Sequence, residues 1–163
     1  MKIFVSSCLL GDQVRYDGSH KYNQALIDTL KGHEIIKGCT ELLAEFPIPH
    51  PPIELKNGHA YFNNGQDVTE QLFNGAEKAL KIYLDNHCDF AILKAKSPSC
   101  GRDFIYDGNF NGQMTAGDGA FTQLLKKHGV KIFNENELPL IKEYLKRHHY
   151  VVNRLCWTKN KLV

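Results

Sequence analysis

Short apolar runs alternate along the chain with longer runs in which the apolar residues recur at helical spacing. The short runs are rich in β-branched and aromatic residues and predict four strands, at 2–7, 34–37, 88–93 and 130–133. The longer runs predict helices over 22–30, from Asp67 to Tyr83, over 117–127 and over 135–147. This alternation predicts a small three-layer α/β fold of Rossmann-like type, with a mostly parallel sheet of about four strands and helices on both faces. We expect one domain over residues 1–163.

Three stretches lack such periodicity. Residues 46–54 read FPIPHPPIE, with four prolines in nine residues, which predicts an extended, stiff loop. Residues 95–111 predict a long loop after the third strand. Residues 148–163 mix polar and apolar residues with no clear period and predict an irregular tail.

Composition and the length of the apolar runs argue against several classes of protein. Twenty Lys and Arg residues against eighteen Asp and Glu give a net charge of +2, so no electrostatic argument favours nucleic-acid binding. No apolar run approaches the ~20 residues that would span a bilayer, and the first residues do not have the pattern of a signal peptide. We therefore expect a cytoplasmic protein that binds neither nucleic acid nor membrane. Nothing in the sequence indicates its oligomeric state.

Five cysteines in a chain without an export signal call for an explanation other than disulfides. Cys8 and Cys39 directly follow the first two predicted strands, and Cys100 lies in the loop after the third. Because ligands of open parallel sheets bind outside the carboxyl ends of the strands, these three thiols are expected at the binding edge. Cys88 begins the third strand at the opposite edge, and Cys156 lies in the tail.

Three thiolates that meet only through the fold suit a catalytic metal or an iron–sulfur cluster better than a structural zinc site, which usually shows CxxC pairs. Glu41, two residues after Cys39, is a candidate general base, and Ser97 is a candidate proton donor or oxyanion ligand. Two further interpretations stay open. One is a zinc-dependent hydrolase that uses the same three cysteines, and the other is a non-enzymatic iron–sulfur or metal carrier or redox sensor.

Several motifs, in order, resemble those of the 2-thiouracil desulfurase family over about residues 3–138. They are SSCLLG (6–11), VRYDG (14–18), CTELLAEFPIPHPPIE (39–54), DVTEQLFNGA (67–76), AILKAKSPSCG (91–101), IYDGNFNG (105–112) and GDGAFTQLL (117–125). So many short motifs in register make the resemblance specific.

The resemblance implies a [4Fe–4S] cluster held by Cys8, Cys39 and Cys100, with the fourth iron free of protein ligands. It implies that Glu41 is the catalytic acid/base and that Ser97 is the catalytic serine. The implied reaction replaces the sulfur of a thiolated pyrimidine such as 2-thiouracil by oxygen and releases sulfide, without net electron transfer. The implied partners are this small molecule and the iron–sulfur assembly machinery.

The chain departs from the family pattern at positions beside the site. Thr40 stands where the family has a proline, Ala44 and Glu45 replace glycines, and His50 replaces an arginine. The cysteines, Glu41 and Ser97 are intact. We therefore expect the reaction type to be kept and the substrate preference to be the more variable property.

Overall fold

The computed structural model describes residues 1–159 and, for side chains, residues 1–149. In chain order its elements are β1 (Lys2–Ser6), a 3₁₀ turn (Ser7–Leu10), α1 (Gln24–Thr29), β2 (Glu34–Gly38), α2 (Thr40–Leu43), β3 (Ile53–Lys56), β4 (His59–Phe62), α3 (Thr69–Asp85), β5 (Phe90–Leu93), β6 (Phe104–Tyr106), β7 (Met114–Ala116), α4 (Ala120–Lys127), β8 (Ile132–Asn134) and α5 (Leu138–Lys159).

The main sheet has four strands in the order β2-β1-β5-β8, and every neighbouring pair is parallel. This confirms the predicted α/β class. After β1 the chain forms β2 on one side and later returns to form β5 on the other. The connections therefore diverge between β1 and β5, the switch point at which such sheets open a crevice for a ligand.

Alternation along the strands explains why both faces are covered. In β1, Phe4 packs on one face with Leu72 of α3 and Phe121 of α4. Its neighbours Ile3 and Val5 point to the other face, where the apolar side chains of α1 and α5 pack. Because successive side chains point to opposite faces, one short apolar strand contributes to two hydrophobic cores.

The structure contains two hairpins that the sequence pattern did not predict. The prediction of an extended proline-rich loop over 46–54 is wrong at its end, because Ile53 opens β3, which pairs antiparallel with β4. The turn is Asn57-Gly58, with φ of 51° and 79°, a dipeptide that favours a tight hairpin. The predicted loop over 95–111 also contains β6, which pairs with β7.

The irregular tail predicted over 148–163 is wrong as far as Lys159, because α5 continues to that residue. Within the part of α5 whose side chains the structure describes, the ring centroids of His148 and Tyr144, one turn apart, lie 4.1 Å from each other. Cys156 lies in this helix, and its side chain is outside the described part of the chain. Across the described residues, no helix combines the length and apolarity needed to cross a membrane.

Candidate functional site

A cavity of about 650 Å³ opens at the carboxyl ends of β1, β2 and β5, and all five residues singled out in the sequence line it. They are Cys8, Cys39, Cys100, Glu41 and Ser97. The structure therefore brings the three cysteines together at the carboxyl edge of the sheet, where the sequence predicts them. Cys88 does not line the cavity and packs partly buried against the hydrophobic core.

Local backbone features hold each cysteine in place. Cys8 lies in the 3₁₀ turn after β1, which ends at Gly11 in a left-handed conformation. Cys39 is the residue before α2 and has extended backbone angles. Cys100 lies in a turn against the start of α4, where a Cβ on Gly119 would come within 2.4 Å of the carbonyl carbon of Ser99. Only glycine allows this close approach of α4 to the turn.

The thiols lie close enough to influence one another. Burial raises the pKa of Cys8 to about 11, with a further rise from Cys39 and an opposing effect from Lys94. Burial also raises the pKa of Cys39 and, more strongly, that of Cys100, on which both other thiols and Glu41 act in the same direction. Cys8 and Cys100 are buried and Cys39 is partly buried. The raised pKa of each thiol favours its protonated form, so a metal that binds there must displace protons.

Two of the sulfurs already take part in hydrogen bonds, Cys100 as acceptor and Cys39 as donor. The Ser6 hydroxyl donates to Cys100 Sγ at 3.6 Å and accepts the Lys94 backbone N–H at 3.0 Å. The Cys39 thiol donates to the Val14 carbonyl at 3.9 Å. Ser6 was not identified from the sequence, because a serine at the end of a strand carries no signal beyond its position.

The arrangement fits an iron–sulfur cluster. Within the described side chains, no three His, Cys, Asp or Glu residues converge as ligands of one metal ion. A cluster does not need this convergence, because each thiolate binds a different iron. In addition, Thr40 lines the cavity next to Cys39, and its buried hydroxyl has no hydrogen-bond partner among the described residues. A buried donor without a partner is rare in native proteins and is explained where a bound group accepts from it.

Glu41 is held by a buried histidine. Its Oε2 lies 3.2 Å from His50 Nε2, and its Oε1 lies 3.5 Å from the Ser99 hydroxyl. The His50 side chain is 2% exposed and that of Glu41 is 14% exposed. The carboxylate is therefore oriented by two partners from other segments of the chain. The sequence indicated His50 only as a departure from the family pattern, and Ser99 only as part of a turn.

Ser97 has a different environment from that of Glu41. Its hydroxyl oxygen accepts the backbone N–H groups of Ser99 and Cys100, each at 3.1 Å. The oxygen thus closes the turn that carries Cys100, while its O–H remains available to donate into the cavity that Ser97 lines. The serine within hydrogen-bond range of Glu41 is Ser99.

Basic side chains also reach the cavity. Arg15, Lys21, Lys94 and Lys96 line it. Lys94 forms an ion pair with Glu135 at 2.7 Å, with both side chains largely buried. These cations offset the negative charge that bound thiolates would bring, because Coulomb interactions are strong at partly buried sites.

The parallel sheet with a cavity at its switch point defines the chain as an α/β protein. The three thiols and the oriented carboxylate in that cavity are the kinds of group that a thiolate-ligated metal centre needs. The profile of the 2-thiouracil desulfurase family matches residues 3–137, and the chain belongs to that family.

Two relatives extend the comparison. The chain is 38% identical over 146 residues to the uncharacterized protein YbbK of Bacillus subtilis (strain 168), covering 83% of this chain and 97% of that protein. Its fold is similar to that of the [4Fe–4S]-dependent thiouracil desulfidase TudS, with a TM-score of 0.83 and 42% identity over 89% of this chain and 97% of that chain.

Proposed function

We propose that this chain is an iron–sulfur enzyme that removes sulfur from thiolated pyrimidines such as 2-thiouracil, with Cys8, Cys39 and Cys100 as the ligands of a [4Fe–4S] cluster. The observation that carries the proposal is that these three thiols line one cavity together with an oriented carboxylate. The similarity to a [4Fe–4S]-dependent thiouracil desulfidase at 42% identity supports the same assignment.

A cluster with three protein thiolates leaves one iron without a protein ligand, and such an iron supplies a Lewis acid with affinity for the C=S sulfur of the substrate. The protein supplies the proton chemistry. Glu41 takes a proton from the water that attacks the ring carbon, while His50 and Ser99 hold the carboxylate. Ser97 donates its O–H to the ring as negative charge develops there.

The reaction balances without an electron donor. Water adds to the C=S carbon, the carbon–sulfur bond breaks, and the products are a C=O group and hydrogen sulfide. Neither a flavin nor a nicotinamide is required. Because a [4Fe–4S] cluster is assembled by dedicated machinery under reducing conditions, we place the protein in the cytoplasm, where that machinery loads it.

The experiment uses protein purified without oxygen. Iron and acid-labile sulfide are measured together with sulfide release from 2-thiouracil and formation of uracil. About four irons and four sulfides per chain, with uracil and sulfide formed in equal amounts, are the expected result. A zinc-loaded, colourless protein would favour a zinc hydrolase, and a loaded cluster without sulfide release would favour a carrier or sensor. Either outcome would contradict the proposal.

A further inference from the structure

Glu54 is a buried carboxylate in the cavity wall to which neither the sequence nor the family resemblance gives a role. It lies on β3, is 9% exposed and lines the same cavity as the three thiols. Its carboxylate forms no salt bridge within the described part of the chain. A buried acidic group of this kind needs other partners, because an unpaired buried charge is costly.

One carboxylate oxygen organises a neighbouring loop. Glu54 Oε1 accepts the backbone N–H of Gly108 at 3.1 Å and that of Phe110 at 3.2 Å. The loop lies so close to β3 that a Cβ on Gly108 would come within 2.5 Å of Lys56 Cβ. Phe110, with a φ of 53°, holds a left-handed conformation that is unfavourable for a large side chain, and it too lines the cavity.

The other oxygen, Oε2, accepts no hydrogen bond from any described residue. Among the described residues, Thr40 Oγ1 is the only side-chain oxygen or nitrogen that is both fully buried and without a partner. Glu54 Oε2 therefore keeps accessible surface, and the residue lines the cavity. An ionised carboxylate only accepts hydrogen bonds, so a ligand in the cavity must present a hydrogen-bond donor to this oxygen.

We propose that Glu54 is a substrate-binding residue whose Oε2 accepts a hydrogen bond from a ring N–H of the thiolated pyrimidine, beside the ring of Phe110. This assignment rests on the proposed function and adds a specificity-determining contact to it. Rings of the uracil type carry N–H donors next to their carbonyl and thiocarbonyl groups, and a charged acceptor binds such donors more strongly than a neutral one. Glu54 therefore has two roles. Its Oε1 holds the loop with Gly108 and Phe110 in the cavity wall, and its Oε2 binds the pyrimidine.

Two substitutions separate these roles. Glu54→Gln keeps an oxygen for the N–H groups of Gly108 and Phe110, but it offers the cavity an NH₂ donor in place of an acceptor. Glu54→Ala removes both functions. Glu45→Gln is the matched control, because Glu45 lies outside this cavity.

The experiment measures, for cluster-loaded protein, KM and kcat with 2-thiouracil and the Kd of the product uracil, which has the same ring N–H groups. For Glu54→Gln we expect KM and Kd to rise by about 10- to 100-fold, as for a lost hydrogen bond to a charged group, with a much smaller change in kcat. Iron content and thermal stability should stay near those of the parent. Glu54→Ala should be impaired at least as strongly, and Glu45→Gln should match the parent.

Parental KM and Kd in Glu54→Gln, with losses only in Glu54→Ala, would assign Glu54 to loop positioning alone and overturn the inference. Parental values in both variants would overturn it as well. Failure of the parent to release sulfide is a separate result, because it contradicts the proposed function while uracil binding still tests Glu54.

Discussion

His50 Nε2 lies 3.2 Å from Glu41 Oε2, while His50 Nδ1 lies 2.7 Å from the carbonyl oxygen of Pro51. The carbonyl only accepts, so Nδ1 carries a hydrogen and donates it. The contact between Nε2 and the carboxylate is then favourable only if a proton lies between them. His50 and Glu41 therefore share a proton, and the ring fixes the direction of the carboxylate.

This pair makes the stability of the metal-free protein depend on pH. Burial lowers the pKa of His50, but the hydrogen bonds to Glu41 and Pro51 and the charge of Glu41 outweigh it and raise the pKa above 6.5. The aromatic rings of Tyr16, Phe46 and Phe62, with centroids 5.2 to 6.3 Å away, surround the imidazole and bring no charge.

The folded protein therefore holds the proton more tightly than the unfolded chain. The stabilisation is complete below the unfolded pKa of 6.5 and is lost as pH rises through the raised folded value. Urea unfolding of metal-free parent and His50→Gln should show a larger difference in the free energy of unfolding at pH 6 than at pH 8.5. A difference that is constant or grows with pH would contradict the shared proton.

Glu41 should be required for turnover and dispensable for cluster binding. Glu41→Ala removes the proposed base and should lower kcat by about 10²- to 10⁴-fold, as is typical for the loss of a general base. Iron content and the visible absorbance of the cluster should stay parental, since Glu41 is not a proposed ligand. Activity near that of the parent would move the role of base to another group in the cavity.

The part of this site that the sequence predicts is the part determined by strand order. Cys8, Cys39 and Cys100 each follow a strand whose apolar run is visible in the sequence, and parallel strands bring their carboxyl ends to one edge. Contacts made by segments without periodicity were not predicted. His50 contacts Glu41 from a proline-rich segment, and Glu54 lies in the cavity wall because it belongs to the β3–β4 hairpin.

The β3–β4 hairpin had a signal in the sequence, and the extension of α5 beyond Arg147 had a weaker one. Asn57-Gly58 between two short runs is a strong indication of a turn, but the neighbouring prolines favoured a loop instead. In α5, Val152 and Leu155 continue the helical spacing of Ile141 and Leu145, but His148 and the polar residues around it interrupt the apolar pattern between them.

Each of the three cavity cysteines should be needed to retain the cluster. Cys8→Ser, Cys39→Ser and Cys100→Ser should each lose most of the iron and sulfide, because serine is a poor substitute for a soft thiolate ligand. Cys88→Ser is the control, since Cys88 is a free thiol outside the cavity and should leave the iron content parental. Loss of iron in the control, or its retention in any of the three variants, would reassign the ligands.

Thr40→Val should stabilise the metal-free protein. Among the described residues the buried Thr40 hydroxyl has no hydrogen-bond partner, and valine keeps the shape of the side chain while removing that polar group. We expect the free energy of unfolding to rise by about 1 kcal/mol in urea titrations of the metal-free form. If the hydroxyl donates to the bound cluster, the same variant should lose iron faster than the parent in an oxygen-free challenge with a chelator. A stability below that of the parent would show that the hydroxyl already has a partner in the metal-free protein.

Phe110 should contribute to substrate binding through its aromatic ring. It lines the cavity and is held in an unfavourable backbone conformation by Glu54, whereas Phe104, in β6 of the same hairpin, is 62% exposed and lies outside the cavity. Phe110→Ala should raise KM for 2-thiouracil by about 2- to 12-fold, the effect of losing an aromatic contact with a flat ring, and should change kcat less. Phe104→Ala, which removes a ring of the same size, should have parental kinetics. Equal effects of the two substitutions would mean that Phe110 acts on the fold of the hairpin and not on the bound pyrimidine.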